Sequence, residues 1–291
     1  MQTTQPQDPS NRLSPASILE SQTQSWNRFS AGWEKWDDFT MRFLQPQGDA
    51  ILSAFELRDG ARVLDIAAGT GDPGLTLASR RHTVEVTALD ASDGMLRVAR
   101  DRAKALELTN FQTVVGDACA LDFADHSFDA VSCRLGLMFF PDPQRAVREM
   151  ARVLRPGGVL AATVWADPSY NPWLTTFMSV LRKHVELPSP PPGGPGLFRC
   201  ADPDELHALL DRAGLHLERT ELLLGHMPCD SSEEYWEFMN DVVPPIAAAL
   251  GDAPTKLAAS VEADVVEALG DLSLAAREKL GWGARSVVAR K

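Results

Sequence analysis

Three carboxylates and a pair of glycines are spaced so that they could hold one ligand. The stretch Arg62-Val63-Leu64-Asp65-Ile66-Ala67-Ala68-Gly69-Thr70-Gly71-Asp72-Pro73-Gly74 reads as a buried strand, a tight turn and the first turn of a helix. Its short apolar run is that of a strand covered on both faces. Gly69 and Gly71 let backbone approach a ligand closely. Asp72 occupies the expected N-cap position and Pro73 the first helical one. Asp90 follows Gly71 by 19 residues, at the end of a second apolar run, Val84 to Leu89.

Gly69, Gly71 and Gly74 satisfy G-x-G-x-x-G, and with Asp90 they match the dinucleotide fingerprint. The flanking charges oppose that reading. A pyrophosphate on this helix N-terminus meets Asp72 at the turn and Asp65 just before it, and their repulsion offsets part of the dipole's attraction. A cationic ligand without phosphate suits the turn better. S-adenosylmethionine (SAM) carries an ammonium, a sulfonium and a ribose diol; Asp65 could hold its amino-acid end and Asp90 its ribose hydroxyls.

These residues need a scaffold that brings strand ends together. The pattern predicts strands 61–67, 84–89, 111–115, 128–134 and 159–165, with helices 73–80, 93–107 and 143–154 between them. Ser92 caps the second of these helices, and Pro156-Gly157-Gly158 follows the third. Such βα repeats give a doubly wound parallel sheet, with ligands beyond the carboxyl ends of its strands. Asp65, Asp90, Asp117 and Arg134 all fall there. Before this core, residues 1–16 read as a disordered tail and 17–48 as a helical lid whose Trp26, Phe29, Trp33 and Trp36 recur on one helical stripe. Pro46 is expected to end that region, and 49–58 to form a short helix before the first strand. The ligand-binding core is placed at 49–166, with a cap insert at 167–200, core again at 201–228, a helical cap insert at 229–280 and a last strand in 281–291. Within the first insert a helix spans 173–186, and the proline-glycine run 188–196 is a linker. A helix at 204–213 and a strand at 215–226 follow.

At 291 residues the chain can bury a sizeable core, and 44% hydrophobic with 23% charged content is that of a globular protein. The net charge of −12 disfavours nucleic acid as a partner. Cys119, Cys133, Cys200 and Cys229 show no C-x-x-C pairing, which suits buried thiols in a reducing, cytoplasmic compartment. No apolar run reaches transmembrane length, no secretion signal is evident and no metal-ligand spacing occurs.

Taken together, these motifs resemble the class I SAM-dependent methyltransferases, most nearly the branch of the ubiquinone and menaquinone C-methyltransferases. The matching segments are Val63 to Asp72, Leu89-Asp90-Ala91-Ser92-Asp93-Gly94-Met95-Leu96, Gly116-Asp117-Ala118, Phe128-Asp129-Ala130-Val131 and Arg152 to Gly158, so the likeness covers residues 50–165. It implies a seven-stranded, mostly parallel sheet. It implies that Asp65, Ala67, Gly69 and Gly71 line the methionine part of SAM and that Asp90 takes the ribose diol. Ala91 and Met95 then pack on adenine, Asp117 and the backbone of Ala118 meet its edge, and Arg134 lies near the methyl group and the acceptor. The N-terminal region and the inserts depart from that branch, so the acceptor is not carried over.

Each assignment has a plainer counterpart. Asp90 could cap a helix, Asp117 could be solvated, Arg134 could pair with Asp129, and the tryptophan stripe could be core. Four strand-end residues fitting one ligand outweigh these taken singly. Trp26, Phe29, Trp33, Trp36, Met138, Trp173, Phe177 and Trp236 are the candidates to enclose a small apolar or aromatic acceptor. As a base only His226 and His126 come into question, neither convincing, and in-line methyl transfer requires none. Two other classes stay open. A nicotinamide oxidoreductase would need a Tyr-x-x-x-Lys pair, which Tyr170 and Tyr235 do not supply. A non-catalytic SAM-binding partner protein would keep the turn without turnover. Oligomeric state and the methylated atom are not written in the sequence.

Overall fold

The computed structural model describes residues 14–187, 194–250, 254–270 and 279–291. Seven strands form one sheet in the order β3-β2-β1-β4-β5-β7-β6. They are β1 (Arg62–Ile66), β2 (Glu85–Asp90), β3 (Phe111–Val115), β4 (Phe128–Arg134), β5 (Leu154–Trp165), β6 (His216–His226) and β7 (Gly281–Arg290). β1 to β5 run parallel, and β7 lies antiparallel between β5 and β6. The α/β, doubly wound, mostly parallel seven-stranded architecture expected from the motifs is the one observed.

Alternation along the strands explains which helices cover which face. Val63, Val86 and Ala130 pack with Leu77 and Ala78 of α3 (Gly74–Arg80), while Val159, Ala161 and Val288 pack with Ile51 of α2 (Asp37–Leu52). On the opposite face Leu64, Val131, Leu160 and Ala162 meet α5 (Pro143–Val153) and α7 (Pro203–Asp211). That larger cluster continues over the carboxyl edge of the sheet. There it takes in α2 again, α6 (Pro172–His184), α8 (Ser232–Val242) and α10 (Thr255–Leu269). The remaining helices are α1 (Pro15–Lys35), α4 (Asp93–Ala105) and α9 (Pro244–Leu250).

Several local expectations change. The disordered tail expected over 1–16 falls on 1–13, outside the described residues, and on 14–16, where Ser14 caps α1 and Pro15 begins it. Pro46 does not end the N-terminal region: it lies inside α2, which runs to Leu52, and residues 53–61 are turns rather than a helix. The break comes earlier, at Trp36, whose indole donates to Asp241 of α8 at 2.8 Å. Proline costs α2 one backbone hydrogen bond. Burial of Phe39, Phe43, Leu44 and Ile51 outweighs that loss. Of the linker expected at 188–196, residues 188–193 lie outside the described residues, as do 251–253 and 271–278 of the helical insert.

Asn171 fixes where the first insert leaves the sheet. It is fully buried, and its Nδ2 donates to the carbonyls of Ala166, Asp167 and Gly283. Its Oδ1 accepts from the Trp173 indole and from Gly283 N. One amide therefore ties β5, α6 and β7 together. Asn171→Ala removes this buried set of hydrogen bonds, leaving the Trp173 indole without its acceptor, and is expected to lower stability by about 3 kcal/mol, read as a lower urea midpoint at unchanged slope.

Candidate functional site

The carboxyl ends of β1, β2, β3 and β4 open into one cavity of about 290 Å³, closed on its other sides by α1, α2, α6 and α8. Its position follows from topology, since the sheet order reverses beside β1 and leaves a crevice at that edge.

The first strand end is shaped by Asp65. This carboxylate is fully buried; it accepts from Gly74 N at 3.0 Å and from Ser132 Oγ at 2.7 Å. It thus holds the start of α3 against β1 and β4. Burial pushes its pKa up to about 7, opposed by the Ser132 hydroxyl, the nearby Arg134 guanidinium and the Gly74 N–H. Asp65 does not line the cavity. The expectation that its carboxylate reaches a ligand is corrected: both oxygens are spent inside the protein. After β1 the backbone turns left-handed at Ala67 (φ 55°) and Gly69 (φ 55°), and again at Gly71 (φ 110°). A Cβ on Gly71 would stand 2.4 Å from a Leu75 methyl, so only glycine fits there. Gly71 lies behind the cavity wall, whereas Ala67 and Gly69 form it.

Asp72 and Pro73 also differ from expectation. Pro73 is the N-cap of α3 and the helix begins at Gly74. Asp72 Oδ1 accepts from Thr76 N and Oγ1, and Oδ2 meets Arg102 Nη2 of α4 at 2.7 Å. Arg102 further donates to Thr70 O and pairs with Asp37 of α2 at 3.2 Å. The charge of Asp72, which argued against a diphosphate, is therefore countered by a half-buried arginine. The electrostatic case against phosphate rests on fewer free carboxylates than the sequence suggested.

Asp90, at the end of β2, lines the wall. Oδ2 accepts from Gly69 N and Oδ1 from Ser92 N, each at 2.9 Å. Burial raises its pKa, and those backbone donors counteract the rise. Backbone donors fix the carboxylate, and each oxygen keeps lone pairs for hydroxyls. Ala91 and Met95 flank it. Asp117 sits beyond β3, where Oδ1 takes the Cys119 N–H at 2.8 Å, and Ala118 lines the cavity beside it. Arg134 ends β4 and reaches the wall. Its Nη1 donates to Leu44 O at 3.5 Å, and burial lowers its pKa against the pull of Asp72 and Asp65. It does not pair with Asp129, which is held by Arg155, Arg58 and the Arg62 N–H.

Of the expected enclosing residues, Trp26, Trp33 and Trp173 line the cavity. Phe29, Trp36, Met138, Phe177 and Trp236 do not. Trp26 and Trp33 are seven residues apart and share one side of α1. Phe29 and Trp36 stand three residues further, turned away by about 60°. Trp36 packs edge-on against Phe39 and Phe238. Phe177 stacks on Trp236, and Met138 is fully buried in a 3₁₀ turn. His226 is exposed on the outermost strand, away from the cavity, and His126 hydrogen-bonds with Leu154 O at the amino ends of β4 and β5, also away from it. Phe43, Phe139, Phe140, Trp165 and Phe238 complete the apolar wall. They carry no signal of their own in the sequence, because aromatics inside helices and at strand ends read as core. Among the described residues no group of three His, Cys, Asp or Glu could hold a metal, and no helix is long and apolar enough to cross a membrane.

Residues 64–162 match the methyltransferase domain family. Over 133 residues the chain is 40% identical to a demethylmenaquinone methyltransferase of Renibacterium salmoninarum, covering 46% of this chain and 53% of that protein. Over 149 residues it is 36% identical to the enzyme of that name from Listeria welshimeri, covering 51% and 58%. The chain spans about half the length of the curated relatives it matches. Among solved structures, the cyclase SpnF is 25% identical with a TM-score of 0.54, covering 84% of this chain and 79% of that one. The YcgJ protein of Bacillus subtilis is 23% identical with a TM-score of 0.55, covering 84% and 97%, a likeness of fold. Residues 64–162 are thus similar to a methyltransferase domain, and this likeness falls within the segment whose motifs suggested the resemblance.

Because the protonated form of Asp65 is favoured in the folded chain, its contribution to stability is present below about pH 4 and is lost as pH rises toward 7. Asp65→Asn keeps an acceptor for Gly74 N and offers a donor to Ser132 Oγ. Its melting temperature relative to the unaltered protein is expected to rise steadily between pH 4 and pH 8; a constant difference across that range contradicts the elevated pKa.

Proposed function

We propose that this protein is a SAM-dependent methyltransferase that acts on a small, largely apolar or aromatic acceptor enclosed under a hydrophobic cover. The observation carrying this is the division of one cavity into two kinds of wall. Strand ends supply Asp90, Asp117 and the turn Ala67–Thr70, while helices supply Trp26, Trp33, Phe43, Trp173 and Phe238.

The residues present fit the cofactor. Asp90 is anchored by two backbone donors and keeps acceptor capacity for a diol. Asp117, steadied by Cys119 N, offers its other oxygen to an exocyclic amine. Ala91, Met95 and Ala118 provide flat apolar surface on either side. When bound, SAM supplies a methyl group on an electrophilic sulfonium. The chain's own residues then have three tasks. The strand-end carboxylates and backbone orient the cofactor. The aromatic wall orients the acceptor and excludes water, and alignment of this kind is worth up to about 7–11 kcal/mol. Arg134, the cation at the boundary between the two walls, stabilises negative charge on the acceptor as it reacts. No histidine is needed as a base.

The acceptor class follows from the wall. A planar aromatic ring of quinol type suits it, and both curated relatives named above are demethylmenaquinone methyltransferases. A second reading is rearrangement without methyl transfer, favoured by the fold shared with a cyclase; a fold alone does not name a reaction. Calorimetric titration with S-adenosylhomocysteine and with NAD tests the cofactor. Binding of NAD without response to S-adenosylhomocysteine refutes the proposal, and binding without methyl transfer to any of a panel of quinols and phenols favours the second reading. Asp90→Ala is expected to weaken S-adenosylhomocysteine by about 1.5–3 kcal/mol. Trp33→Ala is expected to reduce turnover more than cofactor affinity, measured by comparing kcat with the dissociation constant; loss of thermal stability alone would make Trp33 a packing residue.

A further inference from the structure

α1 does more than wall the cavity. From its middle, Asn27 Oδ1 reaches across to the first turn of α4, accepting from Gly94 N at 2.9 Å and from Ser92 Oγ at 2.8 Å. Ser92 is fully buried; its hydroxyl also caps α4 by accepting from Met95 N at 3.1 Å. Its backbone N–H is the donor that fixes Asp90 Oδ1, and Asp90 Oδ2 in turn takes the Gly69 N–H. A continuous chain of hydrogen bonds therefore runs from α1 through Ser92 and Asp90 to the glycine turn. Gly94 permits it. A Cβ there would stand 3.0 Å from Asn27 Oδ1 and 3.1 Å from Ser30 Oγ, so any larger residue would push these α1 side chains back by a few tenths of an ångström. Glycine is the weakest helix former short of proline, and its use here has a structural return. The flanking residues Gln22, Thr23 and Trp26 of α1 and Met95 of α4 all face the cavity.

We propose that Asn27 is a positioning residue for the cofactor: it couples docking of α1 to the orientation of Asp90, so that covering the cavity and seating the ribose are one event. The inference rests on the reading that Asp90 holds the ribose of SAM. The coupling is reciprocal: cofactor tightens the hold on α1, and a docked α1 slows release of the cofactor.

The test uses the full chain and S-adenosylhomocysteine. Asn27→Ala is expected to raise its dissociation constant about three- to tenfold, chiefly through faster release in stopped flow, and to abolish cofactor-dependent protection of α1 from trypsin at Arg28. Asn27→Asp, whose carboxylate accepts from the same two donors, should remain within about twofold. Gly94→Ala should also weaken binding while leaving the melting temperature unchanged or higher, which separates the effect from loss of folding. If the unaltered protein binds S-adenosylhomocysteine and Asn27→Ala binds it equally well, or if Asn27→Asp fails as badly as Asn27→Ala, the coupling is wrong. If the unaltered protein does not bind it, the cofactor reading fails first.

Discussion

A carboxylate sealed inside the sheet is the constraint on which the site depends. Asp65 joins β1, β4 and the first helical N–H after the turn. An ionised carboxylate costs several kcal/mol to bury without full compensation. Here two donors and a nearby guanidinium offset part of it, and burial still pushes the pKa up to about 7. Because the group is satisfied only by Gly74 N and Ser132 Oγ together, the turn between β1 and α3 is held in one shape. Left-handed backbone at Ala67 and Leu135, at the ends of β1 and β4, is costly for residues with a Cβ. That strain persists because Asp65 and the surrounding packing over-determine both strand ends.

The cavity is assembled from two structural sources with different chemistry. Strand ends are fixed by sheet register and present backbone and carboxylates. Helices from the N-terminal region and from the segments between β5 and β7 bring aromatic surface. Arg102 bridges the two, tied to Thr70 O, Asp72 and Asp37. Asp241 of α8 joins two helices of the aromatic cover, receiving Lys35 and the Trp36 indole from the end of α1. Charge is thereby used to dock apolar helices, and the cavity itself is left largely apolar.

The sheet was legible in the sequence because its signals are local. The expected limits of 111–115 and 128–134 match β3 and β4, and those of β1 and β2 fall within a residue, but β5 starts at Leu154 rather than 159, because Pro156-Gly157-Gly158 lies inside the strand instead of before it. The polar wall was legible for the same reason: Ala67, Gly69, Asp90, Asp117 and Arg134 each follow an apolar run and line the cavity. What was missed depends on tertiary contacts. Pro46 reads as a stop unless the buried face of α2 is known. The tryptophan stripe predicts a helix but not which half of it turns to the cavity, so Trp33 and Trp36 look alike. Asn27 and Arg102 carry no sequence signal, the first being one polar residue on a helix, the second one arginine among Arg97, Arg100 and Arg102. Their partners lie 65 to 67 and 30 to 65 positions away in the chain.

The placement of β7 bears on how the molecule comes into being. Among the described residues β6 pairs with β7 alone, and β7 wedges between it and β5. Lys291 then knots the end of β7 to Gly157, Gly158 and Leu154. During synthesis the parallel strands and their helices can collapse as they emerge, but β5 must wait, one edge open, for residues more than a hundred positions later. Closing such a span is slow and leaves an unpaired strand exposed meanwhile. The strand that comes last in chain order among these seven is thus an inner member of the sheet, and the nascent chain stays vulnerable to wrong partners until it arrives.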